Sequence, residues 1–116
     1  MNTVPGVAAH FVGKEPGVAA TYAAILRVAR ALGPCNEEAK KTSIHLVRRT
    51  AFAGVATQRT ALVLTLKSSR DRKSPRIRKH EQASANRWHL EIRLDSPEAV
   101  DAELRDWLTE AYRLAE

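Results

Sequence analysis

The sequence predicts an α+β fold: an antiparallel sheet of about four strands, flanked by an N-terminal and a C-terminal helix. Three observations predict it. Apolar residues recur at three- and four-residue steps near both ends of the chain, and they alternate with polar residues through its middle. The stretches joining the alternating runs are shorter than the crossover of about a dozen residues that parallel strands require, so hairpins and antiparallel pairing follow. With 116 residues the chain has the length of one domain, and residues 1–116 read as a single unit without internal repeat or linker.

Residues 1–14 read as an irregular leader, because Pro5, Gly6, Gly13 and then Pro16 interrupt any helix there. Pro16 suits a first helical turn, and Val18, Tyr22, Ile25, Ala29 and Leu32 then mark one apolar face until Gly33-Pro34 stops the helix. Arg27 and Arg30 lie in its last turns, where they complement the negative end of the helix dipole. Beyond it the period changes. Ile44 and Leu46 alternate with His45, Val47 and Arg49; Phe52-Ala53-Gly54-Val55 is a short apolar run; Leu62, Leu64 and Leu66 alternate with Val63, Thr65 and Lys67. A last strand places Trp88, Leu90, Ile92 and Leu94 toward a core and Arg87, His89, Glu91 and Arg93 outward. Residues 68–86, between the third and fourth strands, have almost no apolar content and no period, which predicts a long basic loop. Ser96 as cap, Pro97 at the first helical position and Glu98 in the first turn open the closing helix. Its apolar face holds Val100, Leu104, Trp107, Leu108, Ala111 and Leu114.

Cys35 is the only cysteine, so no disulfide forms within the chain, and no apolar stretch reaches the roughly 20 residues of a membrane span. The N-terminal residues lack a charged leader followed by an apolar run and a small-residue cleavage site. A cytoplasmic protein without membrane contact is expected. Charge is distributed unevenly. Residues 44–94 hold twelve basic and three acidic groups, whereas residues 95–116 hold two basic and seven acidic ones. A centre this basic attracts polyanions.

The common reactions find little foothold. A reactive thiolate favours a helix N-terminus or a nearby cation, whereas Cys35 follows a helix C-terminus, so no catalytic cysteine is expected. His10, His45, His80 and His89 do not stand at metal-ligand spacing from one another or from Cys35. His45 and His89 fall on the outward side of their strands and can share one sheet face. Glu38-Ala39-Lys40 and Asp71-Arg72-Lys73 satisfy the acid-x-Lys triplet of metal-dependent nucleases, but neither follows a Pro-Asp pair, and a second magnesium-binding carboxylate lacks a pattern. Phosphate-cradling loops, nucleophile elbows and dinucleotide fingerprints are missing from a chain with five glycines. No enzymatic activity, cofactor or metal is expected.

Binding remains. Lys67, Arg70, Arg72, Lys73, Arg76, Arg78 and Lys79 face Asp71 alone within residues 67–79, and guanidinium groups make bidentate contacts to phosphate. The expected function is a non-enzymatic module that binds nucleic acid weakly and without sequence preference through this loop. Replacing Arg72, Lys73, Arg76 and Lys79 together by Ser is then expected to leave the fold intact. A second reading is a small-ligand or peptide pocket built from Lys41, His45, Arg48, Trp88, His89 and Tyr112. A third is an accessory protein whose acidic closing helix, with Asp101, Asp106 and Glu110, docks onto a basic partner. A protein partner or a homodimer is left open.

The chain resembles the bacterial family catalogued as domain of unknown function 5655. The likeness is carried by His10-Phe11, Gly13-Lys14, Lys41-Thr42 before Ile44, Phe52-Ala53-Gly54-Val55, Pro75-Arg76-Ile77, Arg87-Trp88-His89 and the run from Asp101 through Trp107 to Ala111-Tyr112. The resemblance implies a compact α+β module that occurs alone or attached to larger proteins, some of them nuclease- or restriction-related. Its members are sometimes labelled as transport proteins. Residues 70–74 depart from the family pattern, which usually has an acidic turn at this place.

Overall fold

A computed structural model describes residues 6–115; residues 1–5, with Pro5 of the leader, and Glu116 lie outside it. Part of the expected irregular leader is a short helix, α1 (Gly6–Ala9). The first long helix, α2 (Pro16–Leu32), runs as its periodicity predicts, with Pro16 in the first turn and Val18, Tyr22, Ile25 and Ala29 buried. It ends at Gly33, whose φ of 150° suits glycine and where a Cβ would overlap the hydroxyl of Tyr112. That hydroxyl donates to the Pro34 carbonyl at 3.0 Å, so the helix stop also seats the closing helix.

The sheet is antiparallel throughout and has six strands, more than the four or so expected. They are β1 (Asn36–Ala39), β2 (Ile44–Val47), β3 (Ala51–Thr57), β4 (Leu62–Ser68), β5 (Ile77–Ser84) and β6 (Arg87–Leu94), in the spatial order β1-β2-β3-β4-β6-β5. The two unexpected strands are the two edges. β1 is four residues long and buries none of them, and β5 buries only Ile77, so neither carries an apolar alternation. The expected loop at residues 68–86 is therefore a connection over residues 69–76, the edge strand β5 and a two-residue hairpin turn at residues 85–86. β5 is guarded against pairing with other chains by Arg78, Lys79 and Glu81 and by irregular register after Ile77 and after Gln82.

The closing helix starts later than its sequence signals suggest. Ser96 and Pro97 open a separate 3-10 turn (Pro97–Ala99), and α3 (Ala102–Leu114) is capped by Asp101, whose carboxylate accepts from the Leu104 amide at 3.0 Å. Leu104, Trp107, Leu108, Ala111 and Tyr112 are its buried face.

Strand register sorts the sheet into two faces. Ile44, Val55, Leu64 and Ile92 stand opposite one another across four strands, and Leu46, Ala53, Leu66 and Leu90 form the next row. These rows are buried against α2 and α3 in one core, and α1 lies on the same side, with Gly6 against Ala39, the partner of Ile44. Trp88, expected in the core, lies on this covered face but is only half-buried at its margin. The opposite face carries His45, Gly54, Thr65 and Glu91 in one row and Lys67 and His89 in the next. Among the described residues no helix covers it. No helix of the described chain is long and apolar enough to cross a membrane.

Candidate functional site

The basic segment is largely engaged within the molecule. Arg72 donates to Glu110 Oε1 at 2.6 Å, and Ser69 donates to Glu110 Oε2 at 2.8 Å. Arg76 donates to Asp101 at 3.0 Å, to Glu103 at 3.1 Å and to the Ala99 carbonyl at 2.7 Å. The two guanidinium carbons lie 5.9 and 5.8 Å from the centre of the buried Trp107 ring, so the arginines flank the indole and clasp residues 69–76 onto α3. Lys73 pairs with Asp71 at 3.1 Å, His80 also contacts Asp71, and Arg78 lies 3.5 Å from Glu91. Lys67, Arg70 and Lys79 have no carboxylate within 4.0 Å among the described residues.

These contacts also change the picture of the acidic helix. Asp101 and Glu110, expected to face a foreign basic partner, face the chain's own arginines, and Asp106 stays exposed. Burial pushes the Glu110 carboxyl up, but the hydrogen bonds from Arg72 and Ser69 and the charge of Arg72 outweigh it and hold the group below its ordinary value. Asp101 is lowered by the Leu104 amide first and by Arg76 second, and Asp71 chiefly by His80.

The six residues expected to build a pocket are not brought together. The Arg48 guanidinium stacks 4.3 Å from the centre of the Tyr112 ring and donates to the Tyr112 carbonyl, beneath the end of α3. Trp88 is on the covered face, and Lys41 is exposed in the β1–β2 turn. Only His45 and His89 share the uncovered face, as their alternation predicts. A recess of about 430 Å³ opens between them.

The recess has a simple origin in sequence. The outward positions of β3 are Ala51, Gly54 and Ala56, so this strand presents almost no side chain on the uncovered face. Its neighbours present longer ones, His45 from β2 and Thr65 and Lys67 from β4. The result is a trough along β3, walled by the neighbouring strands and closed toward β6 by His89. Most of its exposed lining is apolar. Gly54 has a β-strand conformation without positive φ, and a Cβ there would meet only His45 Cδ2, at an ordinary contact distance of 3.7 Å. Neither backbone nor packing requires glycine at this point, although glycine weakens a strand interior. The outward Ala-x-x-Gly-x-Ala pattern of residues 51–56 was the signal for this trough. It is visible only once the register places all three residues on one face.

The remaining candidates do not assemble. Cys35 is half-buried, and burial pushes its thiol up before Arg30 opposes the shift, so it is a poor nucleophile at neutral pH. Glu38 pairs with Lys40 on one edge strand, whereas the Asp71 triplet belongs to the connection that leads to the other. Among the described residues no group of three or more His, Cys, Asp or Glu is placed to hold a metal ion. The Nε2 of His10 lies 2.9 Å from the Lys40 carbonyl, which ties the leader to the β1–β2 turn.

The described residues thus form a two-layer α+β protein, with helices on one side of the sheet and an uncovered, troughed face on the other. The chain belongs to the family described as a domain of unknown function (DUF5655), which it matches over residues 7–115. Comparison with curated proteins and with solved structures found no match.

Proposed function

We propose that this protein is a cytoplasmic, non-enzymatic binding module that takes a small ligand with a flat apolar body in the trough over β3. The observation that carries this reading is Gly54: a strand-interior glycine that neither conformation nor packing requires, at the floor of a recess of about 430 Å³. A glycine inside a strand marks a bulge, a bend or the close approach of a ligand. The register shift of this strand pair lies between Leu46 and Val47, beyond the pairing of Gly54 with His45, and the volume falls in the range of about 300–1,000 Å³ typical of small-molecule sites. A Gly54→Leu substitution fills the trough from a position where the backbone accepts a side chain. With the uncharged apolar dye N-phenyl-1-naphthylamine as probe, one-site fluorescence saturation is expected for the wild type. Gly54→Leu is expected to weaken binding at least tenfold while leaving the thermal midpoint equal or higher. Equal binding by both proteins would overturn the reading.

Nucleic acid is the second reading, and Lys67, Arg70 and Lys79 favour it as cations without a carboxylate partner among the described residues. With three such groups instead of seven, log K for duplex DNA is expected to fall with log salt at a slope no steeper than about −3, since each neutralised phosphate contributes about −0.9. Arg70→Ser with Lys79→Ser should flatten it by about two units if both touch phosphate. Absence of salt-dependent binding at low ionic strength excludes this reading.

A further inference from the structure

We propose that the trough selects an amphipathic oxyanion, whose apolar body lies along β3 and whose charged end is held jointly by Lys67 and His89. This rests on the trough being the binding site. Lys67 and His89 are direct cross-strand partners on β4 and β6, on the uncovered face, so their Cβ atoms stand about 5 Å apart and both side chains reach a single oxyanion. Lys67 is half-buried as a residue, its ammonium donates to the neutral Thr50 hydroxyl at 3.2 Å in an exposed hydrogen bond, and among the described residues it meets no carboxylate. With no carboxylate to neutralise it, that ammonium is open to donate a charge-assisted hydrogen bond to an incoming anion.

The lining supports the same sign of charge. Its polar groups are Ser43, His45, Thr65, Lys67 and His89, and it contains no carboxylate. The nearest acids are paired with other groups. Glu81 on β5 lies 3.6 Å from His89 Nδ1, and Glu91 is held by Arg78 at 3.5 Å. Glu81 sits toward the β5 edge, whereas Glu91 stands beside Thr65 on the uncovered face, outside the lining of the recess and turned to Arg78. Nδ1 is the ring nitrogen nearer Glu81, so Nε2 is the one farther from that carboxylate. The β1 acid on the other flank, Glu38, is paired with Lys40 at 3.3 Å. An anion entering from β3 therefore meets donors first. A carboxylate, a sulfonate and a phosphate share this chemistry.

Two dyes with the same aromatic body separate charge from shape: 1-anilinonaphthalene-8-sulfonate and its uncharged analogue N-phenyl-1-naphthylamine, each titrated into the full-length folded protein. The sulfonate is expected to bind at least tenfold more tightly than the neutral dye. Lys67→Met should bring the ratio of the two affinities to about one, whatever it does to the neutral dye's own affinity, and Lys67→Arg should restore the ratio. Circular dichroism of each variant shows that the fold is retained. Equal affinity of the two dyes for the wild type, or an undiminished preference in Lys67→Met, overturns the inference while the trough reading stands. If Gly54→Leu leaves both dyes bound as before, the trough reading fails and the inference falls with it.

Discussion

Replacing Trp107 by alanine is expected to destabilise the protein by about 3–5 kcal/mol, the usual cost of truncating a buried tryptophan. The indole is 7% exposed and sits on α3 between the core and the two arginines that hold residues 69–76. Its loss opens a cavity beneath the helix and removes the ring beside which both guanidinium groups lie. Trp107→Phe keeps an aromatic face and should recover much of the loss. The sequence alone assigns Trp88 the same weight, but Trp88 is more exposed, at the sheet margin, so Trp88→Ala should cost less than Trp107→Ala, in proportion to the smaller apolar area removed from water. Urea unfolding followed by far-ultraviolet circular dichroism measures both. A loss below 1 kcal/mol for Trp107→Ala, or equal losses at the two sites, contradicts this account of the core.

The contrast between the two tryptophans shows how far periodicity reaches. Alternation assigns a side chain to a face, and it did so for Trp88, His45 and His89; it does not say how far the covering helices extend over that face. The same limit hid β1 and β5. An edge strand touches the helical layer at one end or not at all, so Ile77 is the only buried residue of β5 and the rest reads as loop. The central strands and both long helices were legible because burial on one side imposes a period. At the start of α3, Ser96, Pro97 and Glu98 are helix-opening residues in a 3-10 turn, and Asp101, the residue that caps α3, carries no distinguishing local pattern.

The candidate site was less legible because it depends on register. Gly54, Ala51 and Ala56 are unremarkable in sequence; only pairing with His45, Thr65 and Lys67 makes them the floor of a trough. The basic segment was legible as charge but not as structure. Counting seven cations against one acid within residues 67–79 leaves out Asp101, Glu103 and Glu110, which arrive from a distant helix. Net charge along a chain therefore overstated the charge offered to a partner.

This difference gives a prediction that departs from the one drawn from sequence, which expects the fold to be unaffected. Changing Arg72, Lys73, Arg76 and Lys79 together to Ser is expected to lower stability at pH 7 by about 2–3 kcal/mol, most of it from Arg72, since a hydrogen bond to a charged group contributes about 1.5–3 kcal/mol. Arg72 and Glu110 are the least exposed pair, at 19% and 25% of the side chain, and losing the arginine leaves Glu110 with only hydroxyl donors. Lys73, at 87% exposure, should contribute nothing measurable. The pH dependence follows from the direction of the shifts. Glu110, Asp101 and Asp71 are held below their ordinary values in the folded state, so their stabilisation is fully present above the unfolded carboxylate range and is lost as pH falls through the folded values. Urea midpoints of the wild type should thus decline from about pH 5 downward, where unfolded carboxylates begin to take up protons. The fourfold variant should start lower and decline less steeply, because Glu110 and Asp101 have lost the arginines that depress them. Arg72→Ser alone should reproduce most of the stability loss, with Lys79→Ser as the silent control. A fourfold variant as stable as the wild type at pH 7, with an unchanged acid limb, would show that the clasp contributes nothing and that the basic segment is free to meet a partner after all.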